Sequence, residues 1–207
     1  MRKQENGISF LNTIQTLRDK SLLKPYEVID NFLIESEFLP IKNMLLSAGF
    51  PWYHQDKVSG AGDEEGMLDT YFSHVLFSSI RQDSEEGYPR GITSGFYNLF
   101  LPFIHKLEVN SLIKLRVNNY PHTHKKIQNN FHVDNFYPHK VAILYINTNN
   151  GMTTLEDGTK INSVENRALL FDGLTKHCST TCTNSRSRLV VNVNYILNES
   201  AWGFSFS

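Results

Sequence analysis

A histidine and an aspartate stand two apart in "NNFHVDNFYPHK", residues 129–140, with aromatic side chains on both sides. In an extended strand, residues i and i+2 project from the same face, so His132 and Asp134 would point together with Val133 buried behind them. That is what a divalent metal needs from two of its ligands. It is equally what an exposed polar patch on an ordinary strand looks like, and one short H-x-D does not separate the two. A clamp needs a third ligand. In "LLFDGLTKHCSTTCTNSRSRLVVNVNY", a strand ends at "FDG" and His177 follows at the start of the next β segment.

Two imidazoles and one carboxylate on one side of an ion leave the opposite coordination positions open, the arrangement used by non-haem iron(II). Downstream, strand alternation puts Arg188, Val190, Asn192 and Asn194 on one face and Leu189, Val191, Val193 and Tyr195 on the other. An arginine at the mouth of a barrel must be paired, because an unpaired buried charge costs several kcal/mol or draws water in. A dicarboxylate co-substrate would pair it through a bidentate fork. Arg186 has the same strand parity and is the alternative anchor.

The elements that would carry these residues come late in the chain. From Leu112 onward, "LIKLRVNNY", "FHVDNF", "KVAILYIN", "GMTTLE", "RALLFDG" and "RLVVNVNYIL" are short, β-rich and separated by turns such as "NTNNG" and "EDGTK". This predicts an α+β, mostly β fold: a double-stranded β-helix of jelly-roll or cupin-like kind over about residues 112–197, flanked by N-terminal helices. Residues 1–25 read as an appended arm, with Phe10, Ile14 and Leu17 at helical spacing and Pro25 at its end; residues 26–207 read as one domain. "YEVIDNFLIESEFLPIKNMLLSAGF" predicts a strand at Glu27–Ile29 and a helix from Ser36 to Ala48, stopped by Gly49, with Pro40 near its first turn. "TYFSHVLFSSI" alternates as a strand with Tyr71, Ser73, Val75 and Phe77 on one face, between the polar loops "GAGDEEGMLD" and "RQDSEEGYPRGITSG". A helix from Phe96 to Leu107, with Pro102 inside it, follows.

The 207-residue chain is 40% hydrophobic and 20% charged, with a formal net charge of −1. This is a globular composition without the bulk positive charge that attracts nucleic acid or an anionic membrane. No apolar run reaches the roughly 18 residues of a membrane span, and "MRKQENGISFLNTIQTLRDK" has no signal-peptide h-region. Cys178 and Cys182 suit a reducing, cytoplasmic setting and read as small buried residues, since no complementary zinc set accompanies them. No basic groove interleaved with aromatics is present, which also disfavours nucleic acid. The expected partner is a small-molecule or peptide substrate.

These features resemble the 2-oxoglutarate- and iron(II)-dependent dioxygenases, in their prolyl 4-hydroxylase-like branch. The motifs that carry the resemblance are "NNY" (118–120), "FHVD" (131–134), "LYIN" (144–147), "NNG" (149–151), "LLFDGLTKH" (169–177) and "SRLVVNVNY" (187–195), in the family's order. "VIDNFL" looks like that branch's entry strand, and "NTNNG", "EDGTK", "SVENR" and "HCSTTCT" look like the small oxygenases of marine tailed phages. The resemblance implies that His132, Asp134 and His177 hold iron(II) and that Arg188 binds the distal carboxylate of 2-oxoglutarate. It further implies that Tyr145 donates a phenolic hydrogen bond to that carboxylate and that Tyr120 lines the pocket. The implied reaction couples oxidative decarboxylation of 2-oxoglutarate, to succinate and CO2, with hydroxylation of an unactivated C–H of a prolyl or other amino-acid substrate. Ascorbate is the compatible reductant. Asp134 itself points to hydroxylation, because halogenating relatives carry a small residue there. One departure stands out: many relatives carry Arg-x-Ser, and here Val190 occupies the serine position.

Other readings of the same residues stay open. Tyr145 can be a core aromatic. His122, His124 and His139 read as solvated loop histidines near the mouth, with a substrate-facing role as the alternative. Trp52, Tyr53, Phe136 and Tyr137 either frame a substrate groove or pack between helix and barrel, the second being the simpler account. For the whole chain, the alternative is a non-catalytic cupin-type barrel that binds a metal or a small acid, since fold does not fix function. Arg188 separates the two readings, because a simple metal binder has no use for a carboxylate anchor deep in its barrel.

Overall fold

The computed structural model describes residues 25–56, 70–79 and 90–197. The helical spacing of Phe10, Ile14 and Leu17 and most of both polar loops lie outside the described residues. In chain order the elements are β1 (Tyr26–Ile29), α1 (Glu35–Leu46), β2 (Tyr53–Gln55), β3 (Tyr71–Ser78), β4 (Gly91–Ile92), a 3-10 turn (Tyr97–Phe100) and α2 (Leu101–Lys106). Then follow β5 (Val109–Pro121), β6 (Lys140–Tyr145), β7 (Met152–Leu155), β8 (Lys160–Asn162), β9 (Arg167–Asp172), β10 (His177–Ser179) and β11 (Ser187–Leu197).

The large sheet runs β1-β9-β6-β11-β5-β3-β2, with β4 beside β3, and β10-β7-β8 form a second, smaller sheet. The pairings are antiparallel, and β11 lies between β5 and β6. Alternation along each strand sorts the side chains of the large sheet into two layers. One layer, including Leu115, Leu144, Val191 and Val193, packs against Phe38, Ile41 and Leu45 of α1 and Phe103 of α2. The other, including Ile143, Tyr145, Leu169 and Val190, meets Leu155 of β7 and Ile161 of β8. Burial of each such Leu, Ile or Val contributes roughly 1.5–3 kcal/mol, so both faces of the sheet are firmly covered. The expected jelly roll flanked by helices is the observed architecture.

The entry to the domain is fastened to β9. Asn166 takes a left-handed conformation (φ 57°) just before that strand. Its side chain accepts from the Leu33 N–H at 3.0 Å and donates to the Leu33 carbonyl at 2.7 Å. Next to it, the Arg167 guanidinium grips both carboxylate oxygens of Asp30 at 2.6 and 2.9 Å.

Several elements depart from the sequence expectation. α1 begins at Glu35 and ends at Leu46, which places Pro40 in its interior, at the cost of one backbone hydrogen bond rather than in the tolerated first turn. The expected helix 96–107 is split, with a 3-10 turn handing over to α2 where Pro102 has no N–H to continue the ladder. In β3 the register slips from Val75↔Arg116 to Phe77↔Leu115, so Phe77 turns to the helix-packed face instead of sharing that of Tyr71. β8 follows the "EDGTK" turn without having been expected. "FHVDNF" forms no strand at all.

Candidate active site

Residues 122–139 cross the mouth of the barrel with almost no regular structure, and Val133 is only half-buried. His132 and Asp134 are therefore not placed by strand alternation. What places His132 is a single antiparallel bridge to His177. The N–H of each histidine donates to the carbonyl of the other, both at 3.0 Å. Because β10 is itself paired to β7, with His177 opposite Leu155, the bridge extends the small sheet by one residue. The two rings come to 4.7 Å between centroids.

Each histidine has its Nδ1 beside the carbonyl two residues back, Asn130 for His132 at 3.1 Å and Thr175 for His177 at 3.2 Å. With Nδ1–H donating there, Nε2 carries the lone pair that a metal would take. Burial pushes the His177 imidazole below its ordinary range, against the pull of Asp134, and so favours the neutral form that ligates.

Asp134 is oriented from the large sheet. Its Oδ2 accepts from Asn194 Nδ2 at 2.8 Å and faces Asn192 Nδ2 at 3.4 Å. Its Oδ1 lies 3.7 Å from His132 Nε2. Burial alone would raise its carboxyl, but His177, Arg116, the Asn194 amide and His132 together outweigh that and bring it down to about 2. The donor atoms of His132, Asp134 and His177 all lie within 4.8 Å of one another. The histidines hang from the small sheet and the carboxylate is tied to the large one, so the group bridges the two.

Arg188 lies on β11 opposite Tyr120 of β5, with its side chain only 1% exposed. Its Nε donates to Ser163 Oγ at 2.8 Å and its Nη2 to Thr153 Oγ1 at 3.0 Å. The Tyr145 hydroxyl donates to the same Thr153 oxygen at 2.8 Å. The guanidinium carbon sits 5.3 Å from the Tyr120 ring centre and 5.6 Å from that of Tyr145, within cation–π range. Tyr120 is stacked in turn on Tyr71. Among the described residues Nη1 has no hydrogen-bond partner, and no carboxylate forms a salt bridge with Arg188. Burial raises the Tyr145 phenol, against the opposing effects of Arg188 and Thr153, and keeps it a hydrogen-bond donor.

His132, His177, Tyr120, Thr153 and Arg188 line one cavity. The donor set is nitrogen, nitrogen and carboxylate oxygen, with its outer atoms tied down, and it suits a metal such as iron(II). A buried cation with one nitrogen unpartnered suits the far carboxylate of a bound dicarboxylate. The donor chemistry present therefore suits both an iron ion and the far carboxylate of 2-oxoglutarate.

The other sequence candidates sort themselves out by burial. Arg186 is exposed, in the turn before β11, so Arg188 is the buried arginine of the pair. Val190 lines the cavity, and the hydroxyls near Arg188 come from Thr153 and Ser163. Cys178 and Cys182 are free, buried thiols, pushed up by burial. His122 and His124 are exposed as expected, but His139 is buried and in contact with Asn194. Trp52 packs on Phe50 against the helix layer, whereas Tyr53, Phe136 and Tyr137 are exposed, Phe136 at 93%, and do not fill a helix–barrel interface.

Some site residues carried no sequence role. Asn192 and Asn194 shared the parity of Arg188, and that was their signal. Thr153 and Ser163 had none. Gly151 leaves room for the Arg188 side chain: a Cβ there would meet Arg188 Cδ at 2.5 Å and Asn149 Oδ1 at 2.8 Å.

By sequence, no protein-family model and no curated protein matches this chain. Solved structures do. A 2OG-Fe(II) oxygenase family oxidoreductase from Burkholderia pseudomallei superposes with a TM-score of 0.60 at 11% identity, covering 83% of this chain and 85% of that one. A Trichoplax adhaerens prolyl hydroxylase, in complex with a hypoxia inducible factor oxygen degradation domain peptide fragment, matches at TM-score 0.54 and 15% identity over 99% of both chains. The non-haem, α-ketoglutarate-dependent epimerase SnoN of nogalamycin biosynthesis matches at TM-score 0.55 and 15% identity, over 90% of this chain and 83% of that one. At such identities what is shared is the fold. Among the described residues, no helix is long and apolar enough to cross a membrane.

Proposed function

We propose that this chain is a 2-oxoglutarate- and iron(II)-dependent oxygenase that hydroxylates an unactivated C–H of a small-molecule or peptide substrate, with a prolyl or other amino-acid group as the target. One observation carries the reading. His132 and His177, which with Asp134 form the candidate metal-ligand group, line the same cavity as a buried Arg188 that has no carboxylate partner among the described residues and presents an unpartnered Nη1. A metal-storing barrel gives no reason to bury that charge. The jelly-roll fold shared with 2-oxoglutarate oxygenases adds support, as does the peptide-bound prolyl hydroxylase among them. The epimerase neighbour is a reminder that the fold leaves the reaction open. Asp134, present where halogenating relatives have a small residue, favours hydroxylation.

Iron(II) with 2-oxoglutarate bound would supply, on reaction with dioxygen, the oxidising power to turn C–H into C–OH, with succinate and CO2 as co-products. The chain's own residues do the positioning. His132 and His177 present Nε2 with their other nitrogens tied to backbone carbonyls, and Asp134 presents Oδ1 while Asn194 holds Oδ2. Ser163 and Thr153 take Nε and Nη2 of Arg188, which leaves Nη1 for the distal carboxylate. Tyr145 shares the Thr153 hydroxyl with Arg188 and can reach the same carboxylate by exchanging that bond. Tyr120, Ile143 and Val190 give the cavity an apolar side.

The test is succinate formation. Protein loaded with iron(II) under anaerobic conditions and then exposed to oxygen should convert 2-oxoglutarate to succinate, slowly alone and faster with cell lysate present. Asp134→Ala should not. Lysate products that gain one oxygen atom by mass spectrometry would identify the substrate. No succinate from the native chain under either condition would contradict the proposal.

A further inference from the structure

His139 is 4% exposed, although it belongs to the irregular segment at the barrel mouth. Its ring is fixed from several sides. Nδ1 lies 2.8 Å from the Tyr137 carbonyl, and Nε2 lies 3.3 Å from Asn194 Nδ2. Its own carbonyl accepts from the Gly173 N–H at 2.8 Å. The ring then lies over Gly173 so closely that a Cβ at that position would come within 2.2 Å of it. Any side chain at Gly173 would displace the imidazole.

Both ring contacts are satisfied by one tautomer alone. Nδ1–H donates to Tyr137 and Nε2 accepts from Asn194; the reverse would set two N–H groups against each other and a lone pair against a carbonyl. The Asn194 amide nitrogen has two hydrogens, and the second goes to Asp134 Oδ2 at 2.8 Å. Were the amide turned over, its oxygen would face two acceptors, the Asp134 carboxylate and His139 Nε2. His139 thus adds a second reason for the amide to point its nitrogen at Asp134. We infer that His139 is a positioning residue, which acts through Asn194 to hold Oδ2 of Asp134 and leave Oδ1 facing His132; the inference rests on the metal-centre reading above. Gly173 serves the same purpose by leaving room for the ring. A ring that merely filled space would need no acceptor at Nε2.

The probe is Mn(II) alone, with its dissociation constant read from the electron paramagnetic resonance signal of the free aqueous ion. Thermal unfolding is followed on the same samples, and no turnover is involved. His139→Leu should weaken Mn(II) binding about tenfold to a hundredfold, the usual effect of losing an outer hydrogen-bond partner of a metal ligand. His139→Gln, whose amide oxygen can accept from Asn194, should recover most of that loss. In an Asn194→Ala background, His139→Leu should weaken binding no further, because the two act in series. Gly173→Ala displaces the ring while keeping every polar group, and should reproduce the loss; it decides the matter if His139→Leu does not fold. Unchanged Mn(II) affinity in a folded His139→Leu or Gly173→Ala protein would overturn the inference. So would a Gln variant as weak as the Leu variant, or losses at His139 and Asn194 that simply add. A native chain that binds no Mn(II) would instead overturn the metal-centre reading itself.

Discussion

Replacing Arg188 by methionine separates two consequences of burying a cation. In the protein alone, the guanidinium gains hydrogen bonds to Ser163 and Thr153, but no carboxylate among the described residues pairs with it. Hydrogen bonds to a charged group contribute about 1.5–3 kcal/mol each, while burying an uncompensated charge costs several kcal/mol. The two effects oppose each other, so the apoprotein's unfolding midpoint should move little. Binding of 2-oxoglutarate should suffer far more. Its distal carboxylate would enter a buried pocket without a partner, a loss of about 2–5 kcal/mol by analogy with broken buried charge pairs. That corresponds to roughly a thirtyfold to several-thousandfold rise in the dissociation constant. Lysine should rescue only in part, since an ammonium cannot reproduce the planar fork held by Ser163 and Thr153. The assay is an anaerobic titration of the iron(II)-loaded protein with 2-oxoglutarate, following the metal-to-ligand charge-transfer band. Iron affinity should stay constant, because Arg188 touches none of the three candidate ligands. Arg186→Ala, an exposed change, should alter neither constant. Unchanged 2-oxoglutarate affinity in Arg188→Met, with the metal site intact, would refute the anchor.

Asp134→Ala should weaken metal binding and abolish turnover while circular dichroism shows the fold intact; Asp134→Gly leaves a vacancy in which halide binding can be sought. Gly151→Ala forces Arg188 to move, an overpacking that costs about 1–3 kcal/mol, and should lower 2-oxoglutarate affinity in the same titration without lowering that for metal. Asn166→Ala removes both hydrogen bonds to Leu33 and strands those backbone groups, so urea unfolding should report a loss of about 2–4 kcal/mol with the site constants unchanged.

The parts of the site that follow from strand alternation were legible in the sequence. Period two put Arg188, Asn192 and Asn194 on one face of β11, and in the structure Arg188 and Asn192 line the cavity while Asn194 holds Asp134. The same rule misled at His132 and Asp134. They meet without a strand, because the backbone of His132 pairs with His177 and the carboxylate is caught by asparagines from the opposite sheet. Such pairing between segments far apart in sequence leaves no local pattern. Parity could not choose between Arg186 and Arg188; the start of β11 at Ser187 does, by leaving Arg186 outside in the turn. Thr153 resembles any strand threonine until the fold brings it to Arg188. Gly151 and Gly173 read as turn glycines, yet their role is clearance for a side chain from elsewhere. His139, between Pro138 and Lys140 in the segment before β6, gave no sign of burial.

The most direct measurement is an anaerobic crystal structure of the chain with Mn(II) and 2-oxoglutarate, with the metal located by anomalous scattering. One ion should lie about 2.0–2.2 Å from Nε2 of His132, Nε2 of His177 and Oδ1 of Asp134. The distal carboxylate of 2-oxoglutarate should lie at hydrogen-bond distance from Nη1 of Arg188. A metal bound elsewhere, or a 2-oxoglutarate whose far carboxylate turns away from Arg188 toward solvent, would overturn the assignment concerned.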